Sequence, residues 1–191
     1  MKFDAQMIPE IIVIEPEVHG DERGYFVETF RQDLFEQAVG YKVNFIQDNE
    51  SKSSKGVLRG LHFQVPPFAQ SKLVRVIEGK VLDIAVDIRN GSPTFGQYIA
   101  IELTGDNKRQ VFVPRGFAHG FVVLSDTATF AYKVDNYYSQ ECDRGLAFDD
   151  LQLNIDWILS KNELQLSVKD TQQPSLAELE PSFDYNVNYY A

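Results

Sequence analysis

The sequence has little cysteine and no long apolar run, and each shortage excludes a class of protein. Its single cysteine, Cys142, allows no disulfide within the chain, and the acidic neighbours Glu141 and Asp143 disfavour a reactive thiolate. No apolar stretch is long enough to span a bilayer, and the first residues lack the apolar core of a signal peptide. We therefore expect a cytoplasmic protein that does not enter a membrane.

Positive charge is also scarce. The chain has 18 Lys and Arg against 28 Asp and Glu, which gives a net charge of -10. Neutralising the phosphates of a nucleic acid requires a basic surface, so nucleic acid is excluded as a partner. A few local basic residues can still bind a small anion.

Apolar and aromatic residues are plentiful, and they suffice for one sizeable core. The 191 residues are 43% hydrophobic and include 14 Phe and 9 Tyr. We predict a single domain over residues 1–191. From Pro174 onward the sequence is acidic and loosely patterned, so residues from about 175 to 191 are predicted to form an arm or a tail.

Alternation of apolar and polar residues dominates the chain and predicts many short strands. In VLDIAVDI, residues 81–88, every second side chain is a large aliphatic one, which is the period of a β-strand. Similar strands are predicted at 11–14, 25–30, 43–48, 57–64, 72–77, 97–103, 110–113, 119–124 and 128–134, with turns at 19–21, 78–80, 90–93, 104–106 and 114–116. This pattern is typical of a β-sandwich or barrel. Helices are predicted only at 31–38, ended by Gly40, and near 160–169.

Two ionisable residues in one predicted strand suggest a functional site. GVLRGLHFQ, residues 56–64, contains Arg59 and His62, and the second candidate histidine, His119, lies in PRGFAHGF. A lone histidine is more often a hydrogen-bonded structural residue, but here each stands near an arginine and a glycine. Side chains three residues apart point to opposite faces of a regular strand. If Arg59 and His62 serve one pocket, Gly60 must supply a bulge.

Small β-barrels of the cupin type bind metals through two neighbouring histidines, an acidic residue after them and a later histidine, and this sequence lacks that set. Gln64 stands where a further ligand would be needed, and the nearby Lys72 is a poor ligand while charged. Two well-separated histidines do not complete a divalent site. We therefore expect no required metal.

Several motifs, in order and at natural spacing over about residues 8–175, resemble the dTDP-4-dehydrorhamnose 3,5-epimerase family. They are HGDERGYFVETF, FIQDNES, GVLRGLHFQ, QSKLVRVIEGKVLDIAVDIRNGSPTFGQY, VPRGFAHGF, FAYKVDNYY and LSVKD. The resemblance implies an all-β, double-stranded β-helix (a cupin-like jelly roll) with a few short peripheral helices. It also implies a homodimer in which N-terminal strands cross to the partner, and chemistry with neither metal nor cofactor.

The resemblance also implies catalytic roles. His62 would remove the proton beside the C4 ketone of the sugar, and Asp170 would orient and charge-balance the imidazole. Tyr132 would return a proton from the opposite face. Lys72 would stabilise the enolate oxygen, although a solvated lysine at a strand end is the commoner situation.

Binding roles follow from the same motifs. Arg59 and Arg23 match residues that contact the diphosphate, where guanidinium geometry suits phosphate oxygens, although Arg23 in GDERG can equally form a local turn ion pair. Phe26 and Tyr138 match the aromatic pair that packs on thymine, although large aromatic residues usually belong to a core.

The remaining matches are polar. Glu28, Gln47 and Asn49 correspond to contacts with base and sugar, and Phe26 and Glu28 share one strand face. His119, paired with Asp83, would position the substrate, while a structural hydrogen bond at a strand entry is the alternative.

The implied function is inversion of C3 and C5 of dTDP-4-dehydro-6-deoxy-D-glucose to give dTDP-4-dehydro-L-rhamnose. Three alternatives remain open. The first is an enzyme of the same family that inverts only C3 or only C5, or acts on a related 4-keto nucleotide sugar. The others are a metal-dependent cupin oxygenase or isomerase and a non-catalytic module that binds a sugar nucleotide or a protein.

Overall fold

The alternating segments fold into antiparallel strands in the computed structural model, which describes residues 1–191. The strands are β1 (Lys2–Ala5), β2 (Ile12–Glu15), β3 (Val18–Asp21), β4 (Gly24–Val27), β5 (Gln47–Ser54), β6 (Leu58–Gln64), β7 (Lys72–Glu78), β8 (Lys80–Asp87), β9 (Tyr98–Thr104), β10 (Gln110–Val113), β11 (Phe117–Val123), β12 (Thr127–Val134) and β13 (Asp143–Gly145). The one α-helix is α1 (Gln32–Val39), and 3₁₀ turns cover Lys161–Glu163, Asp170–Gln172 and Leu176–Glu178.

Two large sheets face each other and enclose the main core. The six-stranded sheet has the order β1-β2-β10-β7-β12-β5, and the five-stranded sheet has the order β13-β6-β11-β8-β9. Phe121 of the second sheet stacks on Phe130 of the first, with ring centroids 4.1 Å apart. Their stacking joins the inner faces of the sheets within one apolar cluster. The prediction of an all-β jelly roll is confirmed.

The predicted first helix is confirmed, one residue later than expected. Phe35 of α1 is fully buried against Ile12, Ile14 and Phe112 on the outer side of the six-stranded sheet. Gly40 ends the helix in the left-handed conformation, at φ 84°, which a glycine adopts without strain.

The second predicted helix, near 160–169, is wrong. Only Lys161–Glu163 form a 3₁₀ turn, capped reciprocally by Ser160 and Glu163. The chain then runs extended because Gln165 pairs in parallel with Val57, and its carbonyl accepts a hydrogen bond from Leu58 N at 3.0 Å. Tertiary pairing overrides the local helix signal here.

Several strand expectations need correction. The strand predicted at 25–30 is β4, which ends at Val27. Residues 19–21, predicted as a turn, belong to β3, which pairs with β4 in a separate two-stranded sheet. The strand predicted at 43–48 begins instead at Gln47 and extends to Ser54. Strands β1 and β13 have no counterpart in the prediction, because their sequences, KFDA and DRG, lack the apolar runs that identify β2 and β10.

The segment predicted as an arm or tail lies against the body of the protein. Leu176 and Phe183 are buried in the second apolar cluster. Asn90 N donates to Phe183 O at 2.8 Å, and Tyr185 N donates to Asn90 O at 3.0 Å. No helix of the fold combines the length and the apolar character that crossing a bilayer requires.

Candidate active site

A polar cavity of two adjoining parts opens between the two large sheets. Its outer part holds about 280 Å³ and is lined by Gln47, Asn49, His62, Gln64, Gln70, Lys72, Tyr132, Tyr138 and Asp143. Its inner part holds about 130 Å³ and is lined by Ser51, Arg59, Lys72, His119, Phe121, Phe130 and Tyr132. Lys72 and Tyr132 border both parts. Most of the site residues predicted from the sequence therefore line this one cavity.

The six-stranded sheet supplies one wall through strand register. Tyr132 lies opposite Asn49, and Val134 lies opposite both Gln47 and Lys72. Residues opposite each other in an antiparallel pair, and residues two apart in one strand, share a sheet face. Gln47, Asn49, Lys72 and Tyr132 therefore present their side chains to the same side.

The five-stranded sheet supplies the other wall, and a bulge brings two of its side chains together. In the pairing of β6 with β11, His62 lies opposite His119 and Arg59 lies opposite Phe121, with a register shift between them. His119 and Phe121 are two residues apart and share a face, so Arg59 and His62 share it too. The extra residue stands at Gly60 or Leu61, and the predicted bulge is confirmed.

Gly60 makes this close approach possible. Its φ of 142° is a conformation that residues with a side chain rarely adopt, and a Cβ there would lie 2.5 Å from Gly120 Cα. A bulge at this point therefore requires glycine, with the small Gly120 opposite it.

His62 forms an ion-pair geometry with Asp170. Its Nε2 lies 2.5 Å from Asp170 Oδ1, and Ser167 Oγ donates to Asp170 Oδ2 at 2.8 Å. Burial alone would raise the pKa of Asp170, but the hydrogen bonds from His62 and Ser167 outweigh it and lower that pKa. The ionised carboxylate accepts the proton of Nε2, which leaves the lone pair of Nδ1 free to act as a base.

Lys72 begins β7 half-buried at the boundary of both cavity parts. Burial lowers its pKa to about 8, although the negative charges of Asp83 and Asp143 oppose the shift. Its Nζ lies 3.5 Å from His62 O. A desolvated ammonium in a cavity is not the surface lysine of the alternative interpretation, and it strengthens any interaction with a developing negative charge.

Tyr132 faces the cavity from the wall opposite His62. Burial raises the pKa of its phenol, and the positive charge of Arg59 only partly offsets this. The phenol therefore keeps its proton at neutral pH and can donate it.

His119 and Asp83 form a second, fully enclosed pair. His119 Nε2 lies 2.9 Å from Asp83 Oδ2, and the two side chains are 6% and 1% exposed. Burial lowers the pKa of His119 despite the carboxylate beside it, so the ring is neutral. The predicted pairing of these two residues is confirmed.

Comparison with known proteins agrees with this arrangement. The family model described as dTDP-4-dehydrorhamnose 3,5-epimerase matches residues 5–178. The chain belongs to this epimerase family.

Individual relatives are similar over most of their length. A dTDP-4-dehydrorhamnose 3,5-epimerase of Shigella flexneri is 57% identical over 150 residues, which cover 78% of this chain and 83% of the relative. The crystal structure of RmlC from Legionella pneumophila, in complex with dTDP-4-keto-L-rhamnose, superposes with a TM-score of 0.93 at 47% identity and covers 97% of this chain and 99% of that one. A more distant structure, that of ChmJ, a 3'-monoepimerase of Streptomyces bikiniensis, has a TM-score of 0.84 at 32% identity, with coverages of 90% and 86%.

Three residues matched to the epimerase family lie outside the cavity of their own chain. Arg23 and Phe26 belong to the exposed β3–β4 hairpin, and Phe26 is 69% exposed. Arg23 forms the local ion pair with Asp21 at 2.5 Å. Glu28, directly after β4, is exposed as well.

The other binding residues have polar neighbours at the cavity. Arg59 Nε donates to Ser53 Oγ at 3.1 Å, and Gln47 Nε2 donates to Asn49 Oδ1 at 2.8 Å. The exposed Tyr138 donates from its hydroxyl to Asp143 Oδ2 at 3.0 Å.

Several residues at or behind the cavity wall were not predicted from the sequence, among them Asp143, Gln70 and Ser167. Asp143 lies in a polar turn-like stretch, Gln70 precedes a strand, and Ser167 stands three residues before Asp170. Only Ser167 carries a local signal, because a serine at that spacing can cap the turn that holds Asp170.

No three His, Cys, Asp or Glu side chains gather where they could hold a metal ion. Gln64 uses its amide to fix loops: Nε2 donates to Phe68 O at 2.6 Å, and Oε1 accepts from Ser139 N at 2.7 Å. The expectation that no metal is required stays a prediction.

Proposed function

We propose that this chain inverts C3 and C5 of dTDP-4-dehydro-6-deoxy-D-glucose to give dTDP-4-dehydro-L-rhamnose. The observation that carries the proposal is the placement of a base, His62, and an acid, Tyr132, on the two opposite walls of one cavity. Inversion requires a proton to leave one face of a carbon and another to arrive on the opposite face. Two groups on a single wall would only restore the starting centre.

The first step is proton abstraction beside the C4 ketone. Nδ1 of His62 takes the proton, and the electron pair of the C–H bond moves into the bond toward C4, so the ketone becomes an enolate. Asp170 stabilises the imidazolium that forms, because it bonds to the other ring nitrogen at 2.5 Å. The Lys72 ammonium stabilises the enolate oxygen, where the new negative charge is concentrated.

The second step is protonation from the other face. Tyr132 donates its phenolic proton to the carbon, and the C4 ketone forms again. Proton exchange with water then returns the phenol and the neutral imidazole to their starting states. The same sequence at the second carbon completes the reaction, and the ketone of the substrate makes both C–H bonds acidic without a cofactor.

The nucleotide contacts residues of both parts of the cavity. Arg59 holds the diphosphate, Gln47 and Asn49 contact sugar and base, and Tyr138 packs on thymine. His119, held neutral by burial, positions the sugar as a hydrogen-bonding group.

A homodimer supplies the remaining contacts. The β3–β4 hairpin pairs with neither large sheet, and it exposes Tyr25 and Phe26 by 61% and 69%. Contiguous exposed apolar residues mark an interaction surface, and these two aromatic residues are neighbours in one hairpin. We propose that the hairpin crosses to a second copy, where Arg23, Phe26 and Glu28 complete the partner's site. The enzyme works in the cytoplasm and requires no metal.

Proton NMR in deuterium oxide tests the reaction. Purified enzyme incubated with the 4-keto sugar nucleotide should introduce deuterium at both C3 and C5, with inversion of both centres. Retention of full activity after treatment with a chelator is expected as well, and its loss would favour a metal-dependent enzyme. Absence of exchange, with the nucleotide still bound, would favour a binding module.

A single-centre epimerase is the second candidate, and the similarity to the 3'-monoepimerase ChmJ favours it. The same catalytic groups serve one or two centres, so they do not separate the candidates. Deuterium at C3 alone, or at C5 alone, would decide for this alternative.

A further inference from the structure

Residues 184–190, here called the strap, are hydrogen-bonded to the rest of the protein. They lie C-terminal to the stretch that the family model matches. The match ends at residue 178. Tyr185 N donates to Asn90 O at 3.0 Å, and Arg115 Nη1 donates to Tyr189 O at 2.5 Å. The strap therefore occupies a defined place beside the two sheets.

Tyr190 is half-buried and makes the side-chain contacts of the strap with Ser71 and Arg115. Its hydroxyl accepts a hydrogen bond from Arg115 N at 2.9 Å and lies 2.6 Å from Ser71 Oγ. Its ring packs against Tyr41, with the ring centroids 4.3 Å apart and the planes tilted by 35°, and the guanidinium of Arg115 lies 5.0 Å from the centroid of the Tyr190 ring. Since the oxygen of Tyr190 already accepts from Arg115 N, its proton is available to Ser71.

The hydrogen bonds around Ser71 close a ring. Ser71 N donates to Asp135 Oδ1 at 2.6 Å, and Arg115 Nε donates to Asp135 Oδ2 at 3.1 Å. Arg115 N in turn bonds to Tyr190, which bonds to Ser71. Ser71 is completely buried, so loss of one partner would leave a polar atom unsatisfied.

This ring of hydrogen bonds connects the ends of β7, β12 and β11, the strands that carry Lys72, Tyr132 and His119. Ser71 stands between Gln70 and Lys72, which both line the cavity. Asp135 directly follows β12, which carries Tyr132, and Arg115 lies two residues before β11, which carries His119. Ser71 itself does not line the cavity, and its side chain points toward Tyr190, whose hydroxyl lies 2.6 Å from Ser71 Oγ.

We propose that the Tyr190 hydroxyl is a positioning group for Lys72. By holding Ser71 in the hydrogen-bonded ring, the strap fixes the entry of β7 and thereby the place of the ammonium in the cavity. The inference rests on the proposed function, in which Lys72 stabilises the enolate. A displacement of that ammonium by a fraction of an ångström weakens its interaction with the transition state more than it weakens substrate binding.

Substitution Tyr190→Phe removes the hydroxyl and keeps the ring on Tyr41. Its matched control is Tyr185→Phe, in the same strap, because the Tyr185 ring stacks on Arg89 while its hydroxyl makes no hydrogen bond within the chain. We expect kcat to fall roughly tenfold in Tyr190→Phe, with KM changed by less than about twofold and Tyr185→Phe equal to the parent.

A second variant separates positioning from folding. Ser71→Ala should lower kcat, and Tyr190→Phe combined with it should lower kcat no further than Tyr190→Phe alone, because both variants remove the hydrogen bond between Ser71 Oγ and the Tyr190 hydroxyl. Melting temperatures are measured for all variants. A lower melting temperature with kcat unchanged at 25 °C would mean a structural role only, and it would overturn the proposal.

Titration of the Lys72 ammonium by NMR, on protein labelled at lysine, tests the positioning role without a measurement of activity. Loosening the strand entry admits water, so the pKa of Lys72 should rise in Tyr190→Phe and stay unchanged in Tyr185→Phe. If the parent enzyme does not turn over the sugar nucleotide, the proposed function is wrong. The titration still tests whether the Tyr190 hydroxyl positions Lys72, because it does not depend on activity. An unmoved Lys72 titration in Tyr190→Phe overturns the positioning role.

Discussion

Arg59 and His62 point to the same side of β6 although three residues separate them along the chain. They lie opposite Phe121 and His119, which are only two residues apart in β11. The bulge between them directs the imidazole to the outer part of the cavity and the guanidinium to the inner part. One strand thus supplies both the proposed base and the proposed diphosphate contact.

Substitution Gly60→Ala should destabilise the fold by more than about 2 kcal/mol, because a strained φ and a backbone clash act together. The added Cβ would meet Gly120 Cα at 2.5 Å. Urea unfolding at matched protein concentration measures the loss. Gly24→Ala is the control, since Gly24 has a similar φ of 132° and nothing within 4 Å of its Cβ position. Equal losses in the two variants would show that the clash contributes nothing.

The sequence predicts the parts of the fold that are governed by the core. Most of VLDIAVDI became β8 because its large aliphatic side chains are buried in the second apolar cluster, on the face of the five-stranded sheet that turns away from the six-stranded sheet. The need for a bulge at Gly60 followed from strand geometry alone. The pairing of His62 with Asp170, 108 residues apart, came only from the family resemblance. No periodicity links residues at that separation.

Strand β5 shows why other parts escaped prediction. Its sequence, QDNESKSS, contains no apolar residue, because one face lines a polar cavity and the other meets solvent. The pattern that identifies a strand by its buried face is therefore missing. The hairpin containing Arg23 is a comparable case, since nothing within one chain shows which surface it covers.

Substitution Asp170→Asn should lower kcat by about 10²-fold or more, because the neutral amide neither fixes the imidazole tautomer nor stabilises the imidazolium. Binding of dTDP, measured by calorimetry, should be unchanged. Ser167→Ala is the matched control. It removes one hydrogen bond to the carboxylate and keeps the charge, so a loss of less than about tenfold is expected. A fully active Asp170→Asn variant would exclude the dyad.

The rate of the reaction should fall as the pH rises through about 8. Burial lowers the pKa of Lys72 to about 8, and only the protonated ammonium, present below that pH, stabilises the enolate. The alkaline limb of the kcat profile measures this titration. In Lys72→Arg the limb near 8 should disappear, because a guanidinium keeps its charge to much higher pH. An unchanged limb in Lys72→Arg would assign it to another group.

Substitution Tyr132→Phe should separate proton exchange from inversion. His62 and Lys72 remain, so the enolate still forms, and the imidazolium can return a deuteron to the face from which the proton left. In deuterium oxide we expect deuterium in the recovered substrate while formation of the inverted product falls by about 10²-fold or more. Proton NMR measures both signals in one sample.

The control is the variant that removes the base and keeps the acid. His62→Ala should abolish both exchange and inversion while binding of the nucleotide is largely retained, because the base that starts the reaction is gone. If Tyr132→Phe also lost exchange, the phenol would be needed to form the enolate and not only to protonate it. If Tyr132→Phe inverted the sugar at the parent rate, the proton would have to come from another group on that wall, and the two-walled mechanism would need a different acid.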